Sequence, residues 1–162
     1  MESKPIKRNE NLVPVSREHH ATLLFCWKLR QGVKMEISPE RISKYINWFW
    51  NHHMEPHFET EEKLLFLDVA DPAIMRGLKE HQEIISKINE INVRGPEKSY
   101  ALYLELAQLV NNHTRYEERE LFPWLEEKLT EAELTAIGGK LHPEDHTAEE
   151  QYVDEFWVNT KA

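Results

Sequence analysis

Apolar residues recur at three- and four-residue spacing along most of the chain. Glycine is scarce, and turn-forming residues separate the periodic segments, a pattern that predicts helices rather than strands. Ser16 is placed to cap a first helix running to Gly32, with an apolar face read as Leu23, Leu24 and Trp27 and with Val33 beyond its end. A long second helix starts from Ser38 and Pro39 and carries Ile42, Ile46, Trp50, His53 or Met54, His57, Glu61 and Leu65, with a kink predicted at Pro56. Asp71 and Pro72 open a third through Met75, Leu78, His81, Ile84, Ile85 and Ile88, closed by Arg94-Gly95-Pro96. The fourth begins near Glu97 and runs through Leu102, Leu106, Leu109, Val110, His113, Glu117 and Leu121, with Pro123 near its end. Short connections force antiparallel neighbours, so the expected fold is all-α, an up-down-up-down four-helix bundle. Thr130 and Glu133 form a capping box for a short fifth helix ended by Gly138 and Gly139, followed by a tail that Phe156 and Trp157 are expected to pin to the bundle.

Composition narrows this picture. The 162 residues, 40% hydrophobic and 30% charged, suit a single domain over 1–162, with a bundle core at about 12–128 and an extension at 129–162. A formal charge of -9 with no compensating basic cluster argues against nucleic acid or anionic membrane as partner. The first sixteen residues lack the apolar stretch of a signal peptide, so a cytoplasmic location is expected. Cys26 is the one cysteine, set among apolar residues and read as a buried, inert thiol.

The chemistry lies in the histidines, nine in all and unevenly placed. HFETEEKLLF from His57 and HTRYEERELF from His113 both read H-x-x-x-E-E-x-x-L-F. Residues four apart on a helix lie about 6 Å along the axis and about 40° around it, so His57 with Glu61, and His113 with Glu117, each present half of a metal site. Both pairs fall in phase with buried positions. An ionised buried carboxylate is costly unless paired or metal-bound. Helix three offers His81. Helix one offers His19 or His20, and the apolar partners Leu23 and Trp27 favour His20 over His19, whose equivalents are Thr22 and Cys26. Two His/Glu pairs and two further imidazoles suit a dinuclear centre of iron, manganese or zinc. Glu62 and Glu118 are read as solvated or as partners that orient an imidazole. His53 stays open as a further ligand, His142 and His146 are read as surface histidines, and the tryptophans as core filler.

At these residues the sequence resembles the hemerythrin-like family, the HHE cation-binding domains. The likeness covers roughly residues 12–128 and rests on SREHHATLL, HFETEEKLLF, KEHQEII and HTRYEERELFPW. The resemblance implies a non-haem centre of two iron ions, oxo-, hydroxo- or carboxylate-bridged. Its implied ligands are His20, His57, Glu61, His81, His113 and Glu117, and its implied partner is a small diatomic such as oxygen or nitric oxide. The family's oxygen carriers have a second histidine one turn before the third-helix ligand, where this chain has Gly77. That departure points away from simple oxygen carriage and toward storage, sensing or protection. Two alternatives accompany this reading. One is a di-iron enzyme or repair factor acting on peroxide or nitric oxide or supplying iron to damaged clusters, with Glu62, Glu118, Tyr103 and Tyr116 as candidate acids. The other is a structural or partner-binding bundle. The oligomeric state is left open.

Overall fold

The computed structural model describes residues 7–95, 99–141 and 152–158, and among these every regular element is helical. Helix α1 is Val13–Lys34. Helix α2 covers residues 39–65 as Pro39–Phe49 and Glu55–Thr60, with π-helical turns at Trp50–Met54 and Glu61–Leu65. Helix α3 is Pro72–Arg94. Helix α4 covers residues 100–128, joining Tyr100–Tyr116 to Phe122–Lys128 through a π turn at Glu117–Leu121. The short α5 is Glu131–Lys140. Helix α1 packs on α4, α4 on α3, α3 on α2 and α2 on α1, closing the expected four-helix bundle.

The helix boundaries have local causes. Asp71 caps α3 by accepting from the Ala73 N–H at 2.8 Å, and Thr130 and Glu133 make the expected capping box on α5. That helix runs through Gly138 and Gly139 to Lys140, past its expected stop. Ser16 is not a cap: α1 starts at Val13, and the Ser16 hydroxyl donates to Glu118. Proline lacks an N–H and crowds the carbonyl four residues back, and the π turn immediately before Pro56 is where α2 accommodates it. The expected starts and stops at Pro96 and Glu97 lie outside the described residues, as do His142 and His146.

Two apolar clusters fill the bundle. One holds Phe25, Leu29, Ile42, Tyr45, Phe49, Ile84, Ile88, Leu106 and Val110; the other holds Leu12, Val15, Leu65, Phe66, Ile74, Leu121, Phe122 and Leu125. Between them, at the same level on all four helices, lies a buried polar layer that includes Glu18, His19, His57, Glu61, His81, His113 and Glu117. Phe156 and Trp157 are buried, as expected, and the tail lies across α1 and α2: Arg41 forks onto Asp154, and Lys28 sits 4.1 Å from the Trp157 ring. Gly32 makes this approach possible, since a Cβ there would stand 2.8 Å from Phe156.

The face of α1 is a correction. Leu23, Leu24 and Trp27 are exposed at 42%, 38% and 49%, while Val15, Glu18, His19, Thr22, Phe25, Cys26 and Leu29 are buried. The buried residues of α1 include four that a hydrophobicity count scores as polar, Glu18, His19, Thr22 and Lys28, so the exposed stripe beside them looks the more apolar in the sequence. Met75 on α3 is likewise exposed, and of the five tryptophans Trp157 is buried whereas Trp27 and Trp124 are exposed. Cys26 is buried as expected, and burial pushes its thiol up to about 12.

Candidate metal centre

The polar layer resolves into two donor groups sharing two carboxylates. His19, His57, Glu61 and Glu117 form one; His81, His113, Glu61 and Glu117 form the other. Within the first, His19 Nε2 is 2.9 Å from Glu117 Oε1 and His57 Nε2 is 3.3 Å from Glu61 Oε2. Within the second, His81 Nε2 is 3.0 Å from Glu61 Oε1 and His113 Nε2 is 3.1 Å from Glu117 Oε2. Each carboxylate thus turns one oxygen to each group, the arrangement of a bridging ligand. The two π turns begin at Glu61 and Glu117, so each shared position opens a widened turn on its helix, a local distortion common at functional sites.

Of the residues expected here, His57, Glu61, His81, His113 and Glu117 are brought together. His20 is not: it is exposed, and His19 takes the α1 position. One residue on a helix is about 100° of rotation, and the buried phase of α1 belongs to Val15, His19, Thr22 and Cys26. His53 is half-buried, with its Nε2 3.3 Å from the Glu18 carbonyl and outside both donor groups. His52 is exposed against the Trp48 carbonyl, in keeping with a surface role.

A second layer backs every imidazole. His57 Nδ1 meets Glu18 Oε1; His81 Nδ1 is 2.7 Å from Glu62, His113 Nδ1 2.8 Å from Glu80, and His19 Nδ1 3.3 Å from Glu118. An ionised carboxylate only accepts, so the contacts at His57, His81 and His113 place a proton on Nδ1 and turn Nε2 inward, the tautomer a metal needs, whereas His19 Nδ1 lies near Glu118 without a hydrogen bond. Glu62 and Glu118 were anticipated as such partners. Glu18 and Glu80 were missed, and their signal was present: each is the residue immediately before a histidine of the site. Three rings wall the layer. Phe58 stacks on His81 at 3.8 Å between centroids, Phe66 leans on it at 5.5 Å, and Phe122 stacks on His19 at 5.6 Å.

Glu61 and Glu117 are fully buried, and their charge must be met by protons or by a cation. Burial opposes a charged imidazole, yet Glu117, Glu61 and Glu62 outweigh it at His81, which is pushed up to about 11. His113 is likewise pushed up to about 9, against its burial, by Glu117 and Glu80. Burial raises Glu117, but the histidines around it, His113 foremost, hold it well below the usual carboxylate range. The donor set fits a pair of cations. His57 Nε2, His113 Nε2, Glu61 Oε2 and Glu117 Oε2 are buried, converge on the layer and make no hydrogen bond. Imidazole with carboxylate is the ligand mixture of iron, manganese and zinc.

The space before His81 is closed. A Cβ on Gly77 would stand 3.0 Å from Leu121 and 3.5 Å from Phe66, so apolar side chains occupy the place of a further third-helix ligand. The Tyr103 hydroxyl donates to the Pro39 carbonyl and meets Ser43, and that of Tyr116 donates to the Ala73 carbonyl; neither touches the donor set.

No curated protein and no solved structure matches the chain significantly. The family model of the hemerythrin HHE cation binding domain matches residues 14–125. That span is more than half of the chain and takes in both H-x-x-x-E-E-x-x-L-F segments and all four bundle helices, so the chain belongs to the hemerythrin HHE cation-binding domain family.

Proposed function

We propose that this protein is a cytoplasmic non-haem di-iron protein that binds oxygen or a related small diatomic for storage, sensing or protection. The observation carrying this reading is the sharing of Glu61 and Glu117 between two donor groups, each completed by two imidazoles. His19 and His57 would hold one ion and His81 and His113 the other, with Glu61 and Glu117 offering an oxygen to each group. When bound, a pair of iron ions supplies reversible redox chemistry and coordination of a diatomic ligand. The protein's own share is positional. The two π turns aim the shared carboxylates, the outer glutamates hold the His57, His81 and His113 rings with Nε2 inward, and Phe58, Phe66 and Phe122 keep the layer dry.

Of the candidate acids, Tyr103 and Tyr116 are bonded to backbone carbonyls away from the donor set, and Glu62 and Glu118 are engaged beside the His81 and His19 rings, which favours binding over catalysis. The test is metal analysis and optical spectroscopy of protein prepared with and without air. About two iron ions per chain with ligand-to-iron charge-transfer bands that respond to oxygen or nitric oxide are expected. Fewer than about one metal ion per chain after iron supplementation would overturn the reading.

A further inference from the structure

Three imidazoles of the polar layer hydrogen-bond a glutamate through Nδ1, His57 to Glu18, His81 to Glu62 and His113 to Glu80, and the fourth, His19, has Glu118 3.3 Å from its Nδ1. These four glutamates come from every bundle helix, since Glu18 lies on α1, Glu62 on α2, Glu80 on α3 and Glu118 on α4. Backbone carbonyls or water would serve equally well to orient a ring. A carboxylate adds negative charge, which passes through the imidazole as a stronger donor at Nε2. With Glu61 and Glu117 the layer and its backing hold six carboxylates. Two divalent ions return four positive charges and two trivalent ions return six.

Arginines offset part of this at Glu80 and Glu118, and Arg8 is 7% exposed. Arg76 lies 3.0 Å from Glu80 but its side chain is 55% exposed, and Arg8 lies 2.8 Å from Glu126 and only 3.9 Å from Glu118. Coulomb attraction to fixed anions grows with the charge of the cation and is strongest where water is excluded. The four imidazoles are at most 5% exposed, and of the outer carboxylates Glu18 is 4% exposed while Glu80, Glu118 and Glu62 are 20%, 30% and 40% exposed.

From this geometry we infer that Glu18, Glu62, Glu80 and Glu118 are positioning residues that tune the centre toward trivalent metal, selecting iron or manganese over the permanently divalent zinc. The inference rests on the proposed metal centre and adds to it the valence that the protein stabilises. Glutamine at these positions keeps the acceptor oxygen and nearly the same volume while removing the charge, so Glu18→Gln and Glu62→Gln isolate the electrostatic part.

The experiment compares the full chain with Glu18→Gln, Glu62→Gln and the double variant. It measures iron per chain, the midpoint potential of the iron-loaded protein, and retention of ferric iron against zinc under a competing chelator. Expected are two irons in each protein, a midpoint potential that moves positive in each single variant and further in the double, and a loss of ferric retention of roughly 10–100-fold that exceeds the loss for zinc. Unchanged potentials in variants that hold two irons, or equal weakening of ferric iron and zinc, would overturn the inference while leaving the centre intact. A wild-type chain that holds no metal pair would overturn the centre itself, and the inference with it. Glu62 is at the solvent edge, so Glu62→Gln supplies a folded test if the buried Glu18 does not tolerate exchange.

Discussion

About 100° of rotation around the α1 axis separates His19, with its Nε2 2.9 Å from Glu117, from His20 at the surface. The two substitutions should therefore behave oppositely. His19→Ala is expected to lower bound metal by about one ion per chain and to weaken the second through the shared Glu117, whereas His20→Ala should leave metal content and melting temperature unchanged. Metal analysis beside thermal melting separates them. Gly77 permits another residue-level test. Leu121 and Phe66 already fill the space a side chain would need, so Gly77→His should destabilise the fold by about 1–3 kcal/mol through overpacking without adding a ligand. Denaturant titration together with metal stoichiometry checks both halves of that statement.

At the scale of the element, Asp71 ties α3 to the end of α4. Its carboxylate accepts from the Ala73 N–H, from Trp124 Nε1 at 2.9 Å and from Lys128 Nζ at 2.6 Å. The Lys128 ammonium first, and then the Trp124 and Ala73 N–H groups, pull Asp71 down to about 2 despite an opposing desolvation. A depressed folded-state pKa contributes stability that is present above the unfolded value near 3.9 and is lost as pH falls through about 2. Asp71→Ala should cost about 1–2 kcal/mol at neutral pH from the lost cap, and the difference from wild type should shrink as pH falls through that window. Equilibrium unfolding at several pH values measures it. Helices α2 and α4 share another element-level device: each opens a π turn at the glutamate common to both donor groups, and the repeated H-x-x-x-E-E-x-x-L-F is its written form. The motif was legible as a half-site on each helix. The π geometry was not, because widening a turn depends on what the freed side chain meets across the bundle.

For the whole molecule, the polar layer divides the core into two apolar clusters and links all four helices at one level. Metal that binds the folded chain alone should stabilise it by roughly 2–3 kcal/mol per site at a hundredfold excess over Kd, so that chelation of both ions lowers Tm by roughly 10–20 °C. Differential scanning calorimetry with and without chelator reads this directly, and His57→Ala should abolish much of the difference. The tail is the second whole-molecule contact. Removal of residues 152–162 would expose the faces of Tyr45, Ile42 and Gly32 against which Tyr152, Phe156 and Trp157 pack. A loss of at least about 3 kcal/mol in denaturant unfolding is expected from the aromatic area uncovered.

The helices and their order in a bundle can be read from the sequence, and of the six residues read from it as ligands the fold brings five together. Period, caps and the doubled motif are local properties, and a chain with short connections has few ways to pack four amphipathic helices. Tertiary structure alone decided the sixth. On α1 the stripe of Leu23, Leu24 and Trp27 outscores in hydrophobicity the one that holds Glu18, His19 and Thr22, and the polar stripe is buried because Glu117, His57 and Glu118 from other helices meet it. Glu18 and Glu80 stand next to a site histidine in the sequence, but which imidazole each one meets, His57 for Glu18 and His113 for Glu80, is set by the packing of other helices. A buried polar residue is stabilised by its partners, and partners distant in the chain are brought together only by the fold.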